Sequence, residues 1–384
     1  MKYVINGSFL TENIMGVQRY AYEILIRADR MLAAQKSESA KKLQNIELEI
    51  LVPDENVPEN ERKSTVFQFI KAVHLGSSAG KKWDQVTYAR YLRKHHAKGI
   101  SMCNSVPIFA KTAAVCVHDI VFKTNPEFFT EKGAWHEILY RKLMYCKAFH
   151  SADQVMTCSE FSRKQIQDHY RLKNSDITVI TNAWQHYDVS DVDEGIFEKD
   201  DVRKSYQQNQ QSDIQGNIRK DYGSRIQRGE YYFFLSSLAK NKNLPWILEN
   251  AKRNPDTTYV LAGSFLGDDS GVDQLGNVIY VGRVSDAEAR ALYKYCKAFI
   301  FPSIYEGFGI PPMEALCMGA SIIISDIPVF QRIYGDAAHY INPMNADVKL
   351  DEILKEPVEP AETVLSQYSW ENSAKTLIEV LQKL

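Results

Sequence analysis

The sequence predicts an α/β protein built from two doubly wound, mainly parallel sheets. Two observations lead there. Apolar runs of strand length alternate with helix-spaced segments over residues 1–180, and the alternation restarts at Tyr231 after a stretch with no periodicity. A chain of 384 residues also exceeds what one ordinary core organises, so two domains are expected. The expected division is an N-terminal domain over 1–184, a connection over 185–229, a C-terminal domain over 230–367 and a final helix over 368–384.

The elements follow in order. Val4-Ile5 and Leu48 to Val52 read as strands, and Val17 to Leu32 has helical spacing with Tyr20, Ile24 and Leu25 on one face. Ala113 to Val117 and Gln154 to Cys158 are short apolar strands. Ser159 supplies an N-cap for a helix from Glu160 to about Tyr170, and Ile177 to Ile180 is a further strand. Between His186 and Glu230 the pattern fades, and Gln207 to Asp213 is polar without periodicity, as a surface excursion would be. Strands are then expected at Tyr231–Leu235, Tyr259–Ala262, Val278–Val281, Phe299–Phe301 and Ile322–Ile324. Helices are expected at Leu244–Lys252, Asp286–Cys296, Met313–Met318 and, after Trp370, Glu371–Leu384.

Charged residues at 24% and apolar ones at 45% suit a soluble globular protein. No apolar run nears the ~18 residues a membrane helix needs. Met1 to Asn6 enters a strand-like run without a long apolar leader, which points to the cytoplasm. The six cysteines form no C-x-x-C pair and mostly sit in apolar runs, so reduced core thiols are expected. Charge is unequal between the halves. Residues 1–184 carry 26 Lys and Arg against 19 Asp and Glu, and residues 185–384 carry 20 against 29. A basic half suggests an anionic partner. No zinc finger, RNP motif or basic helix–turn–helix pattern is present, so nucleic acid is not expected. The densest charge lies in residues 81–98, with six Lys and Arg against Asp84 alone, and Trp83, Tyr88 and Tyr91 interleaved. Two readings stand for that segment: a basic helix lying on an anionic membrane, or a solvated face of the first domain.

The most informative stretch is Pro302 to Leu316, PSIYEGFGIPPMEAL. It reads as strand, glycine turn, helix. Gly307 and Gly309 let the backbone bend, and Pro311 and Pro312 have the fixed φ of a first helical turn. Such a turn presents N–H groups and a positive dipole end to an anion such as a diphosphate. Glu306 and Glu314 flank it, and carboxylates accept the paired hydrogen bonds of vicinal sugar hydroxyls. An anion site beside hydroxyl acceptors describes a nucleotide-sugar pocket.

At these residues the chain resembles the retaining glycosyltransferases of family 4, through the E-x7-E pair Glu306 and Glu314 and the words Glu306-Gly307-Phe308-Gly309, Pro312-Met313-Glu314-Ala315 and Gly319 to Ile323. The resemblance implies the GT-B fold, two Rossmann-like domains facing a central cleft. It implies that Gly307, Phe308, Gly309 and Ile310 approach the donor, that Glu306 orients the sugar ring and that Glu314 holds the ribose. Lys242 and Asn243 resemble the family's word whose lysine contacts the diphosphate. Gly16 resembles the glycine loop after the first strand, and Gly282 and Arg283 resemble the base-binding loop. His118, in Val117-His118-Asp119-Ile120, matches a histidine near the donor sugar. The other reading of His118 is a ring satisfying loop carbonyls, and Asp119 either orients it or orders the loop. Asn182 matches the family's strand-end asparagine. Three positions depart from the pattern: Ser236-Ser237 where an arginine is common, Ala183 for a glycine, and Arg332 for a frequent glutamate.

The expected activity is therefore retaining, metal-independent transfer of a sugar from a nucleoside-diphosphate donor to a glycan or lipid-diphosphate-linked acceptor, in cell-surface polysaccharide synthesis. GDP-mannose is the first choice of donor. Glu306, Lys242 and His118 carry the reaction, and no cofactor or metal is called for. Asp191-Val192-Asp193 has the D-x-D spacing that holds a metal in another glycosyltransferase class, but it lies in a polar acidic segment and reads as solvated loop charge. The competing reading is a sugar-nucleotide epimerase or phosphorylase on the same fold. The expected location is the cytoplasm, with peripheral contact to the membrane's inner face through 81–98.

Overall fold

The computed structural model describes residues 1–12, 16–34, 47–53, 66–76, 80–129, 134–172, 177–187, 189–198, 225–237, 239–263 and 275–384. The polar run Gln207–Asp213 lies outside the described residues. The chain divides into two units, residues 1–183 with 368–384, and residues 184–367.

The first unit holds seven parallel strands: β1 (Lys2–Asn6), β2 (Glu47–Val52), β3 (Lys71–His74), β4 (Lys98–Ser101), β5 (Thr112–Cys116), β6 (Gln154–Thr157) and β7 (Ile177–Val179). Their spatial order is β3-β2-β1-β4-β5-β6-β7. Every residue of β5 is buried, as expected of a strand covered on both faces. The longer helices are α1 (Gly16–Ala33), α2 (Ala89–Lys94), α3 (Ala134–Ser151) and α4 (Glu160–Tyr170). Ser159 caps α4 by accepting from the Ser162 N–H. The final helix of the chain (Trp370–Gln382) packs along α1 within this unit. Trp370 is fully buried edge-on to Tyr20, Arg27 pairs with Glu371 at 3.0 Å, and the Ser373 hydroxyl donates to the Thr181 carbonyl at 2.8 Å.

The second unit holds six parallel strands: β8 (Tyr231–Leu235), β9 (Thr258–Ala262), β10 (Val278–Gly282), β11 (Ala298–Phe301), β12 (Ile322–Ser325) and β13 (His339–Ile341), in the order β10-β9-β8-β11-β12-β13. Its longer helices are α5 (Leu244–Arg253), α6 (Asp286–Lys294), α7 (Ile310–Cys317) and α8 (Pro328–Tyr334); the C-terminal helix is α9. Ser285 and Glu288 form a capping box at the start of α6. In both sheets the strand order reverses direction once, between β1 and β4 and between β8 and β11. Doubly wound sheets bind ligands at such switch points, beyond the carboxyl ends of the strands.

Two expectations are corrected. Residues 81–98 are not one basic helix with aromatic residues on its surface. They form a π-helical stretch (Trp83–Tyr88), then α2, and Lys98 already opens β4. Trp83, Tyr88 and Tyr91 are all buried, and they donate to the Leu75 carbonyl, the Val4 carbonyl and the Glu49 carboxylate. The aromatic side chains face the sheet because their area is worth more in the core than at a surface. The basic side chains Lys81, Lys82, Arg90, Arg93 and Lys94 are exposed, as are Val86, His95 and His96. Residues 185–198 likewise are not a free connection. Tyr187 and Ile196 are buried, and the Trp184 indole N–H donates to the Leu365 carbonyl at 2.9 Å, so this stretch is part of the second unit.

Candidate active site

The chain after β11 turns through Pro302–Gly309 and enters α7 one residue earlier than its two prolines, at Ile310. Gly309 is the N-cap, with φ +90°. A Cβ there would meet Phe330 Cε1 at 2.5 Å, and the Tyr334 hydroxyl closes on the Gly309 carbonyl at 2.6 Å. Both the left-handed backbone and the packing therefore demand glycine. Pro311 and Pro312 carry no N–H, so the donors at this helix start are those of the turn and of Ile310.

The segment after β8 is fastened to this turn. Residues Lys240–Lys242 form a 3₁₀ turn, and Asn243, at φ 60°, starts α5. The Ile304 N–H donates to the Asn241 carbonyl at 2.7 Å, and Asn241 Nδ2 donates to the Tyr305 carbonyl at 2.9 Å. Asn243 Nδ2 donates to the Pro302 carbonyl at 3.0 Å and to the Pro343 carbonyl at 2.8 Å. This lacing brings Lys242 Nζ to 2.6 Å from Glu306 Oε1, with the ammonium 5.2 Å from the centre of the Phe301 ring. The Lys242 side chain is 19% exposed and that of Glu306 9%. One cation and one carboxylate thus sit side by side at the switch point between β8 and β11, largely shielded from water.

Glu314 lies further along α7. Its Oε1 is 2.8 Å from His186 Nε2, and the Tyr293 hydroxyl approaches Oε2 at 3.3 Å. Sequence reasoning missed His186 and Tyr293. Gly282 ends β10 and Arg283 follows it on the same carboxyl edge of the sheet, two strands away from β8, with Arg283 exposed. Between them and β8, the backbones are in close contact. A Cβ on Gly263 would stand 1.8 Å from the Ser236 carbonyl oxygen, so the strand-end loops pack there without side chains.

The remaining candidates lie in the first unit. Gly16 is the exposed first residue of α1. His118 follows β5 and is 5% exposed, with its Nε2 2.8 Å from the Met102 carbonyl. A carbonyl only accepts, so Nε2 carries the proton. Burial holds this imidazole below the usual histidine pKa, and the ring is neutral at pH 7. Asp119 accepts the Val121 N–H at 3.1 Å and so orders the loop. Asn182, three residues past β7, has a buried Oδ1 without a hydrogen-bond partner. A further buried carboxylate, missed in the sequence, stands at the switch point of this sheet. Asp84 accepts from Asn6 Nδ2 at 2.8 Å and from the Ser105 hydroxyl at 2.6 Å, and burial raises its pKa.

The D-x-D residues are engaged by protein groups. Asp191 is ion-paired with Arg290, and Asp193 caps the turn at Glu194–Phe197 through the Gly195 N–H. Among the described residues, no group of three or more His, Cys, Asp or Glu side chains is placed to hold a metal ion.

Two doubly wound parallel sheets, each with one switch point, are the architecture of the GT-B fold, and comparison with solved structures supports that fold. Residues 218–371 match the family Glycosyl transferases group 1. The chain is similar to the O-antigen chain mannosyltransferase RfbU of Salmonella typhimurium, at 24% identity over 70% of this chain and 69% of that protein. It is similar to the O-antigen chain mannosyltransferase B of Escherichia coli at 24% identity over 73% and 72%. Among solved structures, Anabaena Alr3699/HepE in complex with UDP and glucose superposes with a TM-score of 0.65 at 14% identity, over 100% of this chain and 99% of that one.

Proposed function

We propose that the protein transfers mannose from a nucleoside-diphosphate donor, GDP-mannose first, to a glycan or lipid-diphosphate-linked glycan during cell-surface polysaccharide synthesis. The observation that carries this reading is the Lys242–Glu306 pair at the switch point of the second sheet. The similarity to two O-antigen mannosyltransferases supports mannose. In this reading the second unit takes the donor. Lys242 and the turn into α7 neutralise the departing diphosphate, Glu306 orients the sugar ring, and Glu314 accepts from the ribose hydroxyls. Gly282 and Arg283 flank the base. The basic first unit takes the acceptor, and Gly16 and neutral His118 are its candidate substrate contacts. The reaction retains configuration: the acceptor oxygen bonds to C1 on the face from which the diphosphate oxygen leaves, and the acceptor proton passes to that phosphate. A lysine and a helix start replace a metal in stabilising the leaving charge.

The test is transfer to a mannose-terminated acceptor from GDP-mannose, UDP-glucose and a rhamnose donor, with and without excess chelator, and with the product's anomeric configuration read by NMR. Retained α-configuration from GDP-mannose, unchanged by chelator, is expected. Loss in chelator with rescue by manganese would shift attention to Asp191 and Asp193. Conversion of the donor without an acceptor would establish an epimerase.

Peripheral attachment is part of the same reading, with different anchors from those first expected. On α3, Trp135, Leu139 and Leu143 recur at four-residue spacing and are 62%, 49% and 54% exposed. Lys81 pairs with Glu137 beside them and lies 5.0 Å from the Tyr140 ring, and Lys142 is exposed on the same helix. An apolar stripe rimmed by lysines fits the headgroup layer of an anionic bilayer. At roughly 1 kcal/mol per basic residue near such a surface, the attachment is loose and salt-sensitive. Co-sedimentation with anionic vesicles is expected to fade at high salt and in the Leu139→Ser/Leu143→Ser variant. Equal binding to neutral vesicles, or none at low salt, would remove the membrane from this reading. Among the described residues no helix is long and apolar enough to cross a membrane.

A further inference from the structure

The first residues of the second unit place a histidine on the carboxylate assigned to the nucleotide. Trp184 is held by the Leu365 carbonyl, and the Tyr187 N–H closes a turn on the Trp184 carbonyl at 2.9 Å. That turn carries His186 inward until its side chain is 1% exposed, with Nε2 2.8 Å from Glu314 Oε1. The cluster around it is aromatic. The Tyr187 ring meets the Tyr293 ring at 6.0 Å and the Arg290 guanidinium at 5.4 Å, and Arg290 is in turn paired with Asp191. Tyr293 is fully buried and its hydroxyl reaches the other Glu314 oxygen. Both donors that grip Glu314 therefore come from one packed group.

We infer that His186 is a positioning residue for ribose recognition: through its hydrogen bond it fixes the plane of the Glu314 carboxylate, so that the acceptor sites left over face a pair of vicinal hydroxyls. A carboxylate has about four lone-pair sites. The imidazole takes one on Oε1 and the phenol one on Oε2, which leaves one on each oxygen, the spacing that two neighbouring hydroxyls require. Without His186 the carboxylate rotates about its last bond and loses its hold on the hydroxyl pair. The inference rests on the reading of Glu314 as the ribose carboxylate.

The experiment crosses the protein change with a ligand change. GDP, or UDP where it binds more tightly, and its 2′,3′-dideoxy counterpart are titrated by calorimetry into wild type, His186→Ala and His186→Gln. Wild type is expected to prefer the ribonucleotide by about tenfold or more, since a hydrogen bond to a charged acceptor is lost with each hydroxyl. His186→Ala is expected to lose most of that preference while binding the dideoxy nucleotide within about twofold of wild type. His186→Gln, whose amide N–H still donates, restores much of it. Equal weakening of both ligands in His186→Ala overturns the inference and makes His186 a packing residue. A wild type indifferent to the ribose hydroxyls overturns the reading of Glu314 itself, and the inference with it. If His186→Ala does not fold, His186→Gln and Tyr293→Phe supply the same comparison, with His186→Gln expected to keep the preference and Tyr293→Phe to reduce it.

Discussion

Glu306→Gln is expected to lower sugar transfer by about two to three orders of magnitude while nucleoside-diphosphate affinity stays within a few-fold of wild type. In the turn between β11 and α7 the side chain is only 9% exposed and meets Lys242, so its charge acts in a shielded setting. Positive charge grows on the sugar ring as the bond to the diphosphate breaks, and an adjacent carboxylate stabilises it more than a neutral amide does. Glutamine keeps the shape and one carbonyl acceptor, so the ground-state complex changes little. Transition-state binding carries the loss, which appears in kcat more than in KM. Glu314→Gln is expected to behave in the opposite way, with nucleotide affinity falling more than kcat. Calorimetry with the diphosphate and steady-state kinetics decide both. Diphosphate affinity that collapses in step with Glu306→Gln activity would place Glu306 on the phosphates and not on the sugar.

Much of this was legible in the sequence, for definable reasons. Strands covered on both faces are unbroken apolar runs, so Tyr231–Leu235 and Phe299–Phe301 could be read directly, whereas β3 is half-exposed and β4 begins on a lysine, and neither stood out. The turn into α7 is local: its glycines, prolines and glutamates are contiguous, and their chemistry needs no distant partner. Lys242 could be placed because it follows a strand and opens a helix. What the sequence hid was partnership at long range. Nothing about His186 in isolation indicates Glu314, which lies 128 residues further on. The aromatic residues among 81–94 were misjudged because charge density was read as exposure. Arginine and lysine side chains reach water from positions whose neighbours are in the core, so Trp83 and Tyr88 can be buried beside exposed Lys82 and Arg90. The stripe on α3 shows the converse, since Trp135, Leu139 and Leu143 have the spacing of a core face and yet look outward.

Lys242→Ala is expected to cost about two to three orders of magnitude in kcat/KM, because it removes the cation proposed to meet the leaving diphosphate and also isolates a shielded carboxylate. The two effects separate in a double-mutant cycle with Glu306→Gln. In the absence of donor, Lys242→Ala strands Glu306 without its 2.6 Å partner, and stability is expected to fall by about 1–2 kcal/mol, below the 3–5 of a fully buried pair because Lys242 keeps part of its hydration. Adding Glu306→Gln removes the stranded charge, so the double variant is expected to regain most of that loss in thermal or urea unfolding. Activity is expected to respond differently. In the proposed reading lysine and glutamate serve the same departing sugar diphosphate, one on the phosphate and one on the ring, so the double variant is expected to be no more than a few-fold worse than the weaker single variant. Fully multiplicative losses would mean that the two side chains act on separate steps. Near wild-type turnover in Lys242→Ala would leave the turn into α7 as the sole stabiliser of the diphosphate, and the 2.6 Å contact as a structural pair.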